Sequence, residues 1–259
     1  MKKNKFIGEK YRAAAKHQLE WGKKIIDELK LNGNEKVLDL GCGDGLLTKL
    51  IAEKVPNGNV LGIDSSSSMI DTAQGIKKNN LIFVLKNITD INYENKFDII
   101  YSNAALHWVK DHKSLLNKCI KALKVSGKIR FNFAGEKNCN TFVKVIKKII
   151  GEDDFSWYFK ELEWPWFNPS IGEYKDIIGS IPFRDVKVFE EIADRFFLNG
   201  NEMIRWIDQP ALVPFIKYIP DEKKEMFRSE VINRMLKITK KEDGRCFEIF
   251  RRINIIAIK

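Results

Sequence analysis

Short apolar segments alternate with amphipathic ones through the first half of the chain, and this alternation restricts the possible folds more than any other sequence feature. The apolar segments are rich in Val, Ile and Phe and cover residues 36–40, 60–63, 81–85, 97–101 and 128–133. The segments between them, such as 46–55 and 67–77, have the length and apolar spacing of helices. Because strands that alternate with helices are typical of a parallel sheet buried on both faces, we predict a doubly wound α/β fold.

The rest of the chain has a different pattern. A helix is predicted for residues 5–31 and another for 138–150, followed by an aromatic-rich passage at 155–167. Two further strands are predicted near 186–197 and 247–258, with a mostly helical segment at 201–240 between them. Together with the five strands above, they give a seven-stranded, mostly parallel, Rossmann-like sheet whose last strand is antiparallel.

The composition indicates a cytoplasmic protein with no membrane partner and no metal site. No apolar run approaches the ~18 residues that span a bilayer, and the basic start MKKNKFIGEKYR lacks the apolar stretch of a signal peptide. The four cysteines are scattered, and no histidine stands at ligand spacing from them.

A formal net charge of +10 raises the question of a nucleic-acid partner. The basic residues are 35 lysines and 10 arginines spread along the whole chain, and no cluster combines arginines with aromatic residues as a stacking groove would. We therefore do not expect a nucleic-acid partner. The charge is better explained by solubility or by attraction to an acidic small molecule or protein.

An apolar strand runs into a glycine-rich turn at VLDLGCGDG, residues 37–45. Glycines allow the backbone to turn sharply and to approach a ligand closely, and the helix that follows begins with unpaired N–H groups. Asp64 ends the next strand, 19 residues after Gly45. A carboxylate at that position can accept both hydroxyls of a ribose, so the pattern predicts a nucleoside cofactor.

The charges beside the turn distinguish two such cofactors. A dinucleotide fingerprint needs GxGxxG with a pyrophosphate at the helix N-terminus, whereas this turn has the spacing GxGxG and is flanked by Asp39 and Asp44. Two carboxylates would repel a pyrophosphate but would stabilise the α-ammonium group of a methionine. The turn therefore favours S-adenosylmethionine over NAD.

Four segments, VLDLGCGDG, GIDSSSSMI, FDIIYSNAALHWV and LKVSGKIRFNF, resemble the motif series of class I S-adenosylmethionine-dependent methyltransferases in order and spacing. Within that class the chain resembles the trans-aconitate, juvenile hormone acid and malonyl-acyl-carrier-protein O-methyltransferases. SNAALHWV and the terminal DGRCFEIFRRINIIAIK are the most similar segments. The resemblance implies S-adenosylmethionine as methyl donor and S-adenosylhomocysteine as product.

The resemblance also implies which residues contact the cofactor. The methionine part would meet Asp39, Gly41, Cys42 and Gly43; the ribose and adenine would meet Asp64, Ser65, Met69, Asn87 and Ile88; the sulfonium would lie near Ser102 and Asn103; and Tyr11 and Gln18 would close the site from the N-terminal helix. The family usually has aspartate where this chain has Asn87. Asparagine keeps a carbonyl acceptor for the adenine amino group but loses the charge.

The acceptor side has fewer signals. His107 and Trp108 follow the fourth strand, where His107 could act as a general base or substrate anchor, or both residues could simply pack beneath a lid. Arginine suits bidentate binding of carboxylates, and Arg195, Arg205, Arg245, Arg251 and Arg252 occur in the second half of the chain, near the predicted cap insertions. Arg195, Arg245 and Arg251 are the candidates to inspect first, because they lie in or next to the last two strands. A solvated surface position is the alternative for each.

These features predict a single methyltransferase domain over residues 1–259, with a cofactor-binding half at 1–134 and helical cap insertions at 135–185 and 200–246. The expected reaction is O-methylation of a small, trans-aconitate-like carboxylic acid, which is already ionised at pH 7 because its pKa is near ~4. The alternatives are a hydroxyl, amine or carbon acceptor, an acid bound to acyl carrier protein, an RNA, and a non-catalytic cofactor-binding module.

Overall fold

The computed structural model describes residues 16–259, so Tyr11 and the first part of the predicted helix at 5–31 lie outside the described residues. The described chain packs as two compact units. The first contains residues 16–136, 166–191 and 252–259, and the second contains 137–165 and 192–251.

The first unit is organised around a seven-stranded sheet with the order β3-β2-β1-β4-β5-β9-β6. Its strands are β1 (Lys36–Leu40), β2 (Asn59–Asp64), β3 (Leu81–Leu85), β4 (Phe97–Asn103), β5 (Leu123–Ala134), β6 (Arg184–Ile192) and β9 (Arg251–Ile258). Strands β1 to β5 are paired in parallel, and β9 is antiparallel to β5. The predicted fold class is confirmed.

Helices cover both faces of this sheet. They are α1 (Lys16–Glu28), α2 (Leu46–Lys54), α3 (Ser67–Ala73), α4 (His112–Ala122) and α7 (Ile171–Gly179). Neighbouring residues of β1 enter opposite cores, since side chains alternate along a strand: Val37 packs with residues of α1 and α2, whereas Leu38 packs with residues of α4 and α7. This two-sided burial explains why apolar residues can follow one another within a strand, as in Ile99-Ile100-Tyr101 of β4.

The second unit contains mostly helices. They are α5 (Asn140–Ile150), α6 (Asp153–Ser156), α8 (Gly200–Trp206), a π-helical turn (Ile207–Ala211), α9 (Val213–Ile216) and α10 (Lys224–Thr239). Phe142 of α5 packs edge-on against Trp206 and beside Phe215, and these side chains are buried. None of the helices in residues 16–259 is long and apolar enough to cross a bilayer.

Each of the two strands predicted near 186–197 and 247–258 is broken in two. The outer pieces, β7 (Arg195–Phe197) and β8 (Cys246–Glu248), form a separate antiparallel pair. The break is stabilised locally, because the backbone N–H of Ala193 donates to the carbonyl of Phe250 and the N–H of Phe250 donates to the Asp194 side chain at 3.0 Å. The sequence shows no interruption at the second break, where Ile249 and Phe250 are apolar, whereas the first break contains the polar residue Asp194.

The predicted cap insertion at 135–185 also divides differently from the expectation. Its second part packs with the sheet, where Tyr174 and Ile178 of α7 are buried in the same core as β4 and β5. Only residues 137–165 of it belong to the second unit. The single-domain organisation stays a prediction.

Candidate functional site

The glycine-rich turn after β1 is held by the end of β2. The N–H groups of Gly41 and Cys42 both donate to the carbonyl oxygen of Ile63, at 2.9 and 3.0 Å. Gly41, Gly43 and Gly45 all have positive φ angles, which other residues adopt at a cost. A Cβ atom on Gly41 would lie 2.2 Å from the Cβ of Ala105, whereas at Gly43 nothing lies within 4 Å. The turn is therefore closely packed on one side and open beside Gly43.

Asp39 is a buried carboxylate beneath this turn. It is 2% exposed, and its Oδ2 accepts a hydrogen bond of 2.7 Å from the hydroxyl of Thr48 on α2. Burial raises the pKa of Asp39 to about 7; the Thr48 hydrogen bond opposes this shift and the charge of Asp64 adds to it. A cation placed beside Asp39 would stabilise its ionised form.

Asp64 at the end of β2 is oriented by backbone N–H groups. Its Oδ2 accepts from Gly43 at 3.0 Å and its Oδ1 accepts from Ser66 at 2.8 Å. Burial raises the pKa of Asp64, although these backbone hydrogen bonds oppose the shift. Each oxygen keeps a further lone pair, so the carboxylate can still accept hydrogen bonds from a ligand. The adjacent Cys42 thiol remains protonated, because burial and the charges of Asp39 and Asp64 raise its pKa.

Two unsatisfied amide oxygens lie where β4 ends and α1 begins. Asn103 donates from Nδ2 to the carbonyl of Gln18 at 2.9 Å, which fixes the amide and leaves its Oδ1 directed elsewhere. Among the described residues, Asn103 Oδ1 and Gln18 Oε1 are buried without a hydrogen-bond partner. The hydroxyl of Ser102 is already used as a donor within the fold, since it donates to the carbonyl of Leu40 at 2.7 Å. A ligand with hydrogen-bond donors would satisfy the two oxygens.

The residues expected around the adenine differ in exposure. Met69 on α3 and Ile88 are buried, whereas Ser65 and Asn87 are exposed. The side-chain oxygen of Asn87 accepts from the N–H of Thr89 at 3.0 Å and caps a short 3₁₀ helix. That hydrogen bond fixes the orientation of the Asn87 amide, which lies just after the end of β3.

His107 and Trp108 lie in a 3₁₀ turn (Leu106–Trp108) that follows β4. Burial, reinforced by the electrostatic effects of Arg252 and His112, lowers the pKa of His107 to about 3. The Nδ1 atom of His107 is buried and has no hydrogen-bond partner in the described part of the chain. Trp108 packs edge-on against Trp166 with ring centroids 5.9 Å apart. His107 is thus a neutral imidazole at pH 7.

The three candidate arginines lie elsewhere, in the second unit. Arg245 is exposed and pairs with Asp243 at 2.6 Å while its guanidinium stacks on Phe196. Arg251 pairs with Asp194, and Arg195 lies on β7 opposite Glu248. Arg245 and Arg251 therefore already have a carboxylate partner.

A row of buried polar residues on β5 and β9 includes three, Arg130, Asn132 and Asn254, that the sequence analysis did not identify. Arg130, Asn132, Asn254 and Arg252 are at most 3% exposed, and Asn132 donates to Asn254 at 2.9 Å. The signal for them is present in RFNFA and RRINIIAI, where polar residues occupy alternate positions of apolar strands. Their partners could not be deduced, because the two strands are about 120 residues apart.

The geometry at this edge of the sheet suits a nucleoside with a positive charge. Asp39, Asn103 Oδ1 and Gln18 Oε1 supply acceptors, and Asp64 supplies a carboxylate positioned for hydroxyl groups. A pyrophosphate would need donors or cations at the same place. Among residues 16–259 no group of three or more His, Cys, Asp and Glu side chains could hold a metal ion.

Comparisons with known proteins agree with this chemistry. A family model described as a methyltransferase domain matches residues 31–162, half of the chain. The chain is 25% identical over 263 residues to the trans-aconitate 2-methyltransferase of Variovorax paradoxus, covering 96% of both proteins. It is 30% identical over 202 residues to the malonyl-[acyl-carrier protein] O-methyltransferase of Calditerrivibrio nitroreducens, covering 76% of this chain and 74% of that protein.

The fold is also shared with an enzyme solved with its cofactor product. A structure of Haemonchus contortus phosphoethanolamine N-methyltransferase 2 with S-adenosylhomocysteine has a TM-score of 0.59 at 17% identity, over 93% of this chain and 53% of that one. The cofactor predicted from the sequence, S-adenosylmethionine, is confirmed. The chain belongs to the methyltransferase domain family and is a class I S-adenosylmethionine-dependent methyltransferase.

Proposed function

We propose that this enzyme transfers the methyl group to a carboxylate oxygen of a small carboxylic acid. The observation that carries the proposal is the state of His107, the residue that the sequence suggests as a general base. With its pKa lowered to about 3, His107 is a poor proton acceptor at neutral pH. A carboxylate, which is ionised at pH 7, needs no base.

The same residues that fit a cationic nucleoside are proposed to hold the cofactor. Asp64 would accept the ribose hydroxyls, Asp39 would face the ammonium group, and the open backbone at Gly43 would lie along the methionine part. S-adenosylmethionine supplies an electrophilic methyl group on a positively charged sulfonium. The role of the chain is then to align the acceptor and to exclude water.

The relatives support an acidic acceptor, because both are named for one. The trans-aconitate enzyme matches over nearly the whole chain, which favours a free di- or tricarboxylic acid. The 30% identity to a malonyl-[acyl-carrier protein] O-methyltransferase favours a second candidate, an acid carried on acyl carrier protein. The two candidates share the carboxylate and differ in whether the acid is attached to a protein.

The proposal is tested by measuring methyl transfer from labelled S-adenosylmethionine to matched acceptors. The panel contains trans-aconitate, malonate, a malonyl thioester on acyl carrier protein, a fatty acid, and hydroxyl and amine compounds of similar size. We expect turnover with at least one carboxylic acid. Turnover confined to the hydroxyl or amine compounds would contradict the proposal.

A variant of His107 tests the same proposal independently. On a carboxylic acid, His107→Gln should keep activity within about tenfold of wild type, since no proton has to be removed. S-adenosylhomocysteine affinity, measured by calorimetry, is the control for an intact cofactor site. Loss of turnover by several orders of magnitude with that affinity unchanged would indicate a histidine base and a protonated acceptor.

A further inference from the structure

We propose that Tyr174 and His112 form a hydrogen-bonded pair that positions the turn Leu106–Trp108 for methyl transfer. Both are positioning residues, because they are buried and act through that turn. The inference rests on the proposed function, in which the chain aligns the acceptor with the methyl group of the cofactor.

The pair joins two helices of the first unit to the turn after β4. His112 is the first residue of α4 and Tyr174 lies on α7, and they are 2% and 0% exposed. His112 Nδ1 lies 3.1 Å from the Tyr174 hydroxyl, and His112 Nε2 lies 2.9 Å from the carbonyl oxygen of Leu106. The rings of Phe133 and Phe167 lie 5.2 and 4.8 Å from the imidazole, so apolar contacts also restrict it.

The direction of each hydrogen bond follows from the chemistry of the three groups. A carbonyl oxygen only accepts, so His112 carries a proton on Nε2 and donates it to Leu106. Burial lowers the pKa of His112 to about 4, so the imidazole is neutral at pH 7 and Nδ1 has no proton. Nδ1 is therefore an acceptor, and the Tyr174 hydroxyl donates to it. The hydroxyl thus holds the imidazole in the orientation that anchors Leu106.

The anchored turn begins beside the glycine-rich turn. A Cβ atom on Gly41 would lie 2.2 Å from the Cβ of Ala105, which directly precedes the 3₁₀ turn. Asn103 Oδ1 and His107 Nδ1, on either side of Leu106 along the chain, are buried and have no hydrogen-bond partner among residues 16–259. Because buried polar atoms are nearly always satisfied, such atoms indicate where a ligand completes the hydrogen bonding.

A second anchor fixes the other part of the turn. The backbone N–H of Phe167 donates to the carbonyl oxygen of His107 at 2.8 Å, and the ring of Trp166 packs edge-on against Trp108. If the anchor at Leu106 is removed, this one stays in place, so the turn should shift without unfolding. A small shift of groups beside the reacting atoms is sufficient to slow the transfer.

Tyr174→Phe tests the proposal, because it removes the hydroxyl and keeps the ring in the core. We expect kcat to fall by roughly 10- to 100-fold, the effect of a misplacement of about 1 Å. S-adenosylhomocysteine affinity, measured by calorimetry, should stay at the wild-type value, since the glycine-rich turn is held separately by Ile63. Wild-type kcat and acceptor KM in the folded variant would overturn the proposal.

Ile178→Val is the matched control on the same helix. Ile178 lies one helical turn after Tyr174, is 1% exposed and packs in the same core. Loss of one methylene group should lower the melting temperature without changing kcat. An equal loss of kcat in the two variants would show that general destabilisation is the cause, and the positioning role would be wrong.

Nitrogen-15 NMR of the three histidines measures the tautomer directly. The signals of His112 are assigned by their loss in His112→Gln. At pH 7 they should show a protonated Nε2 and an unprotonated Nδ1, and the Nδ1 signal should shift in Tyr174→Phe because its hydrogen bond is lost. A proton on Nδ1 in wild type, or no shift in the variant, would overturn the pair.

If Tyr174→Phe does not fold, His112→Gln and His112→Asn provide the same comparison. The amide nitrogen of glutamine is as many bonds from Cα as Nε2 of histidine and can still donate to Leu106, whereas that of asparagine is one bond short. His112→Gln should therefore retain more kcat than His112→Asn, and equal values would overturn the proposal.

The variants are compared on the acceptor that wild type methylates fastest. If that acceptor is not a carboxylic acid, the proposed function is wrong, and the kcat of Tyr174→Phe still decides the positioning role. If wild type methylates a carboxylic acid and Tyr174→Phe keeps its kcat, only the positioning role is wrong.

Discussion

Asp39 is a carboxylate whose ionised form is disfavoured until a cation arrives. Burial raises its pKa to about 7 from 3.8, so the folded protein holds a proton there that the unfolded chain has already released above pH ~4. The contribution of Asp39 to stability is therefore fully present below about pH 4 and is lost as pH rises through 7. The ammonium group of the cofactor would compensate for this loss.

Asp39→Asn should consequently stabilise the ligand-free protein at pH 8 and not at pH 4. The expected gain at pH 8 is roughly 2–4 kcal/mol, because the amide replaces a carboxylate whose pKa is raised by about three units. The same variant should bind S-adenosylhomocysteine more weakly. Thermal unfolding at both pH values, with and without ligand, measures the two effects.

Asp98→Asn is a matched control at the other end of the sheet. The Asp98 carboxylate accepts from Lys124 at 2.7 Å and from the backbone of Lys36, and these contacts lower its pKa despite partial burial. Its contribution to stability is present at neutral pH and is lost as pH falls, so removing it should not stabilise the protein at pH 8. If both variants changed the free energy of unfolding at pH 8 by the same amount, Asp39 would have an ordinary pKa.

At the residue scale, the sequence predicted residues whose partners are close along the chain better than residues whose partners are distant. Gly41, Gly43 and Asp64 were identified because a turn and the end of the next strand are close in sequence, and the structure joins them directly through the Gly43–Asp64 hydrogen bond. Arg130, Asn132 and Asn254 were not identified, because their hydrogen-bond partners lie on a strand about 120 residues away in the sequence. Their roles, and those of the cofactor contacts, stay proposals.

The turn between β1 and α2 is the element on which the proposed cofactor site depends. Gly41→Ala should disrupt it, because φ is +78° and the added Cβ would lie 2.2 Å from Ala105. We expect a loss of stability on the order of 1–3 kcal/mol and much weaker S-adenosylhomocysteine binding. Calorimetry and thermal unfolding measure both.

Gly179→Ala provides the comparison for that variant. Gly179 ends α7, and nothing lies within 4 Å of the Cβ it would gain. Alanine favours the helix, so this change should leave stability equal or slightly higher and ligand affinity unchanged. Wild-type affinity in Gly41→Ala would show that the turn does not approach the ligand.

The elements themselves were predicted well where one strand is followed by one helix. The strands β1 to β5 and the helices α2, α3 and α5 match the predicted segments to within a few residues, apart from β5, which begins five residues earlier. The prediction was less accurate at β6–β7 and β8–β9. There the sequence pattern does not show the point at which the chain leaves the seven-stranded sheet. That point is set by contacts between distant segments, such as Phe250 with Asp194, which are 56 residues apart.

At the scale of the whole molecule, the formal charge of +10 invites a test with nucleic acid. Lysines spread along the chain should give only weak association with RNA, and raising the salt from about 50 to about 200 mM should largely abolish it. Filter binding with several RNA sequences measures this. Tight, sequence-selective retention at physiological salt would contradict the expectation.

The antiparallel strand β9 also determines when the enzyme can be completed during synthesis. Asn132 donates to Asn254, so 122 residues separate two side chains that bury each other. While the ribosome translates the intervening segment, β5 remains an edge strand with an unpaired backbone, and Arg130 and Asn132 lack their Asn254 partner. The nascent chain thus keeps an open sheet edge beside the proposed cofactor site until β9 emerges, and chaperones that bind exposed strands should engage it there.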